Sequence, residues 1–127
     1  MEQNFVSEKR KHPRFNVDLP VKYARSKFFK SGKYGRAVNA SEGGLLVHLP
    51  EETEIGQHLA LQLFFYSPSE LNILETSVRV VWKGIHVRKD MGWDYRTGVS
   101  FTDLPPEDMS KFRKFLISFS QQPPYTS

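Results

Sequence analysis

The stretch Phe15-Asn16-Val17-Asp18-Leu19-Pro20-Val21-Lys22-Tyr23 sets the fold class. Phe15, Val17, Leu19, Val21 and Tyr23 alternate with polar residues or proline. A period of two is the pattern of a strand with one face buried and one face wet. Pro20 donates no backbone hydrogen bond and points to a sheet edge or a bulge. The same alternation returns downstream. Residues 34–39 form a short second strand and Leu45 to Leu49 a third, ended by Pro50. Leu59, Leu61, Leu63 and Phe65 mark a fourth. Leu74, Thr76, Val78, Val80 and Trp82 mark a long fifth, with all five on one face. Gly84 to Gly92 reads as a polar connection, and Tyr95 to Phe101 as a sixth strand with Gly98 at a bend or close approach.

The C-terminal end changes period. Leu104-Pro105-Pro106-Glu107-Asp108 opens a helix, with proline in the first turn and two acids at its positive dipole end. Met109, Phe112, Leu116 and Phe119 follow at three- and four-residue spacing, with Phe115 alongside. Six strands and one amphipathic helix predict a mainly all-β fold: a six-stranded antiparallel barrel with a C-terminal α-helix packed on it. Closure would hide the strand edges. The expected organisation is a flexible arm over 1–14, a barrel plus helix over 15–120 and a tail over 121–127.

The chain has 127 residues, enough for one domain with its own core. It has no cysteine, which excludes disulfides, thiolate metal sites and cysteine nucleophiles. Mean hydropathy is −0.50, and no apolar run reaches the length of a membrane span. The first residues lack the apolar stretch of a secretory signal, so a cytoplasmic protein without membrane insertion is expected. The net charge of +4 hides an asymmetry. Residues 1–40 carry ten basic and three acidic side chains, and the remainder of the chain is net acidic. A basic first third calls for an anionic partner or a solvated face.

Catalytic patterns are absent. Ser41 lacks the upstream glycine of a nucleophile elbow, and no phosphate-binding P-loop occurs. His12, His48, His58 and His86 show no metal-ligand spacing along the chain and share no acidic cluster, so no metal site is expected.

Two short constellations remain. Arg10 and Arg14 lie four apart, directly before the first strand. Guanidinium suits bidentate contact with phosphate oxygens, pairs with guanine O6 and N7, and stacks on bases. Pro13 stiffens the segment before Arg14 and favours an extended His12. Asn39-Ala40-Ser41-Glu42-Gly43-Gly44 follows. Asn39 and Ser41 alternate with Ala40 and project to one side, where amide and hydroxyl can read a base edge or bond their own backbone. The paired glycines Gly43 and Gly44 read as a tight turn that supplies positive φ.

In this order and spacing, R-x-x-x-R followed by N-x-S-x-x-G resembles the PilZ domain family. Val78-Arg79-Val80-Val81-Trp82 is similar to the family's long late strand, and Tyr95 to Phe101 to its last strand before a helix. The resemblance covers about residues 8–118. It implies a six-stranded barrel with a C-terminal helix, and binding of cyclic di-GMP, a bacterial second messenger with two guanines and two phosphates. It implies no enzyme activity and no cofactor. The expected ligand residues are Arg10, Arg14, Asn39, Ser41 and Gly44, with Lys9, Lys11 and Gly43 in supporting positions. The ligand would order the arm and present a new surface to an unidentified downstream protein. Two other readings stand beside this one: a PilZ-like adaptor that binds no nucleotide, and a small barrel that binds nucleic acid through basic residues and the rings of Phe28, Phe29 and Tyr34.

Overall fold

The structure is a computed structural model that describes residues 13–25, 32–66 and 69–120, the side chains of 119 and 120 excepted. Lys9, Arg10, Lys11, His12, Phe28, Phe29, the side chain of Phe119 and the tail from 121 lie outside the described residues. Six strands are present: β1 (Phe15–Ala24), β2 (Lys33–Ala40), β3 (Gly44–Leu49), β4 (His58–Tyr66), β5 (Leu71–Val87) and β6 (Trp93–Asp103). They close into an antiparallel barrel in the order β1-β2-β3-β6-β5-β4. One helix, α1 (Pro106–Ser120), follows.

The alternation holds along most of the barrel. Val17, Val21 and Tyr23 of β1, Leu45, Val47 and Leu49 of β3, and Leu59, Leu61, Leu63 and Phe65 of β4 all point into the core. Phe112, Phe115 and Leu116 of α1 are buried as well. Phe112 and Phe115 meet Phe65 at centroid distances of 5.9 and 4.8 Å, and Phe101 meets Phe112 edge-on at 5.9 Å. The helix therefore closes the barrel with an aromatic cluster, a geometry that adds to plain area burial.

Two expectations change. β5 and β6 run further than the alternation suggests, because Gly84 to Val87 stay paired with Trp93 to Arg96 and the connection narrows to a tight turn at Arg88–Gly92. Ile85, His86, Val87 and Trp93 are all exposed there, so no buried face marks them as strand. Pro20 meets its expectation of an edge or a bulge. It sits beside the irregularity between Asn16 and Leu19, just before β1 begins to pair with β4 at Val21. Neither Gly43 nor Gly44 has positive φ; among the described residues that conformation belongs to Gly56 and Met91.

One electrostatic strut crosses the β2–β3 end of the barrel. Lys33 Nζ donates to Glu51 Oε1 at 2.7 Å. That bond holds the Glu51 carboxyl below the usual glutamate range, against the opposing effect of partial burial. A carboxyl lowered on folding stabilises above its unfolded pKa, and the gain disappears as pH falls through the folded value. Glu51→Gln is therefore expected to lose no more than about 1 kcal/mol at pH 7, because the pair is partly exposed. The variant and the parent should become equal once the carboxylate is protonated. Urea titrations at neutral and acid pH measure both limits.

Candidate functional site

β-Strands alternate their side chains, so every outward position of β3, β5 and β6 falls on one outer wall of the barrel. On that wall, beside the Ser41–Gly44 turn, lies an open cavity of about 550 Å³. Its lining joins the two constellations: Arg14 comes from just before β1, and Asn39, Ser41, Gly43 and Gly44 from the end of β2 and the turn. The pairing of Phe15 with Ala40 explains this meeting, because it fixes Arg14 next to the end of β2. Of the expected residues, Arg10, Lys9 and Lys11 lie outside the described range.

The polar groups are held by local bonds. Asn39 Nδ2 donates to Asn16 Oδ1 at 3.4 Å. Ser41 Oγ accepts from the Gly43 N–H at 3.2 Å, and the Ser41 N–H donates to the Gly44 carbonyl at 3.0 Å. The Ser41 hydroxyl keeps its own proton for a donor bond. Arg113 Nε of α1 reaches Glu42 Oε1 at 3.1 Å, so the turn is tied to the helix.

Gly44 has a structural reason beyond the turn. It faces Ser100 across the β3–β6 ladder, and a Cβ at this position would drive into the Val99 carbonyl oxygen. The missing side chain lets the two strands approach.

Trp82 and Arg96 are among the lining residues that the sequence reading did not place at the site. Trp82 was expected inside with Val80, but it faces out. The register of β5 on β6 shifts between Val80 and Trp82, and Val81 and Trp82 are both exposed as a result. A bulge places two consecutive residues against one partner and breaks the alternation. The unbroken apolar run Val80-Val81-Trp82 was the available signal. The indole lies along β5 over Gly84, where a Cβ would come 2.9 Å from Cη2. Gly98 faces Trp82 with similar closeness. Arg96, outward on β6, holds its guanidinium 5.5 Å from the centre of the indole. The wall thus offers two arginines, an amide, a hydroxyl and a large flat ring. Such a set suits a planar, anionic ligand.

Strand pairing brings two of the histidines together. His48 on β3 pairs with Arg96 on β6, and His86 on β5 pairs with Asp94 on β6. One ligand atom each from His48, His86 and Asp94 lies within 4.8 Å of the others. The imidazoles stack with centroids 4.5 Å apart. Partial burial, followed by the neighbouring His86, lowers the pKa of His48. Residues 38 positions apart in sequence carry no spacing signal, so only the strand pairing gathers them.

Comparison with known proteins follows the same geometry. The PilZ domain family matches residues 8–118. No curated protein matches the sequence. The PilZ domain of YcgR from Escherichia coli, solved with c-di-GMP, has a TM-score of 0.68 at 13% identity, over 89% of this chain and 92% of that one. The Bacillus subtilis inhibitor of motility MotI/DgrA gives 0.70 at 15% identity, over 91% of this chain and 54% of that one. The K. pneumonia MrkH–c-di-GMP complex gives 0.70 at 14% identity, over 88% and 52%. The chain spans about half the length of these last two proteins. At such identities the solved structures establish the fold, and the match over residues 8–118 establishes the family. The chain belongs to the PilZ domain family.

Proposed function

We propose that this chain is a receptor for cyclic di-GMP, bound at the outer cavity. The observation that carries the reading is the meeting of Arg14 with Asn39, Ser41 and Gly44 in one cavity. Its volume, about 550 Å³, falls within the range of small-molecule sites. Arg14 supplies a bidentate contact to phosphate or to the guanine Hoogsteen edge. Arg10 adds a second, since four residues of chain reach at most about 14 Å. Lys9 and Lys11 add steering charge. Asn39 and Ser41 bond the base or its phosphate, Gly43 shapes the turn, and Trp82 offers a stacking face. Binding draws the segment 1–14 over the cavity and changes the surface that a downstream protein meets. The ligand-bound structures of YcgR and MrkH support the choice of nucleotide.

The test is calorimetry of the chain with cyclic di-GMP, with GTP and a random single-stranded oligonucleotide as controls. Saturable binding of the cyclic dinucleotide alone is expected. Its stoichiometry separates one bound molecule from a stacked pair. Absence of binding would favour an adaptor role, and salt-dependent oligonucleotide binding would favour nucleic acid. Trp82→Ala is expected to weaken cyclic di-GMP by about tenfold, the scale of one lost base–ring stack. An unchanged affinity would remove the indole from the site.

A further inference from the structure

We propose that His48, His86 and Asp94 form a transition-metal site on the outer wall of the barrel, suited to Zn²⁺. Three strands supply one ligand each, so the backbone positions are fixed by the β3–β6 and β5–β6 ladders. Their ligand atoms already lie within 4.8 Å of one another. Zinc–nitrogen distances of about 2.0–2.1 Å set tetrahedral ligand atoms roughly 3.3 Å apart. Closing that gap asks for rotation of the side chains about their fixed strand positions. The stacked rings, 21° from parallel, must turn so that one nitrogen of each faces a common point. His86 is exposed and His48 is at a partly open surface, so both have room to turn.

The surroundings resemble a built outer shell. Arg88 Nη1 donates to Asp94 Oδ1 at 2.8 Å and to the Trp93 carbonyl at 3.1 Å. Asp90 Oδ1 holds the same guanidinium through Nε at 3.1 Å. The bond to Oδ1 holds the Asp94 carboxylate in place. Hydrogen bonds of this kind fix ligating carboxylates and tune affinity. The two aspartates also offset the charge of Arg88, so the cation meets no unopposed positive group from that side. Two imidazoles and one carboxylate favour zinc, copper or nickel over magnesium and calcium, which prefer oxygen alone. Three protein ligands leave a fourth position for water or a partner's side chain.

None of the three residues lines the ligand cavity. Arg96 stands between the two places, paired with His48 and turned toward Trp82. The proposal is independent of the nucleotide reading.

The experiment uses the untagged, chelator-stripped full chain. Zn²⁺ is titrated by calorimetry, and Co²⁺ is titrated as a probe of tetrahedral coordination by visible absorption. One equivalent is expected to bind. His48→Ala and His86→Ala should each weaken binding beyond the about 10–100-fold that loss of an outer-shell partner causes, and Arg88→Ala should fall within that range. His58→Ala, on β4, should leave binding unchanged. Circular dichroism checks that each variant keeps its fold. No saturable uptake by the parent chain would overturn the proposal, as would uptake by the His48→Ala/His86→Ala double variant equal to the parent.

Discussion

Arg14→Ala is expected to reduce affinity for cyclic di-GMP by about 100-fold. The estimate follows from the loss of a charge-assisted, bidentate contact, roughly 3 kcal/mol when two such bonds go together. Stability should hold within about 0.5 kcal/mol, because Arg14 is exposed and precedes the first strand. Arg14→Lys separates charge from geometry. An ammonium keeps the positive charge but not the planar fork, so an intermediate loss is expected. Arg10→Ala should behave like Arg14→Ala if both guanidinium groups grip one ligand. Calorimetry with thermal denaturation on the same samples measures the two effects apart. Parental affinity in both alanine variants would end the receptor reading, whatever the barrel looks like.

Gly44→Ala is expected to damage the fold first and the ligand site as a consequence. The added methyl meets the Val99 carbonyl oxygen, and backbone on β6 cannot swing aside as a flexible side chain could. Overpacking of this kind costs about 1–3 kcal/mol, and the rigid ladder puts Gly44 at the upper end. A melting temperature lower by about 10 °C would correspond. The same displacement moves Val99 and Ser100, which floor the cavity, so binding should weaken as well. A variant that melts with the parent yet loses the nucleotide would reverse the order. It would show that the glycine serves the ligand's approach and not the approach of β3 to β6.

Alternation made most of the barrel readable, because burial on one face only leaves a period of two. Leu59, Leu61, Leu63 and Phe65 could scarcely face anywhere but the core. The signal failed where burial stopped deciding. Ile85 and Val87 continue β5 beyond the packed interior and are exposed, so nothing distinguished them from a loop. Trp82 was turned outward by a register shift, and alternation cannot see a bulge in advance. Arg14, Asn39 and Ser41 were legible because each sits in a short local pattern. Arg96 and the trio His48, His86 and Asp94 were not, since their proximity exists only through strand pairing.

Closure of the barrel also limits where an extended segment of another chain could pair with it. With β1 joined to β4, each strand has a neighbour on both sides. Beyond Val80, however, β5 has left β4, and among the described residues Val81 to Val87 have neighbours on β6 alone, so the far side of that hairpin is an open ladder of the kind on which sheet proteins recruit extended segments. Val81 and Trp82, at the start of that edge, also line the outer cavity, so a molecule seated there lies beside it.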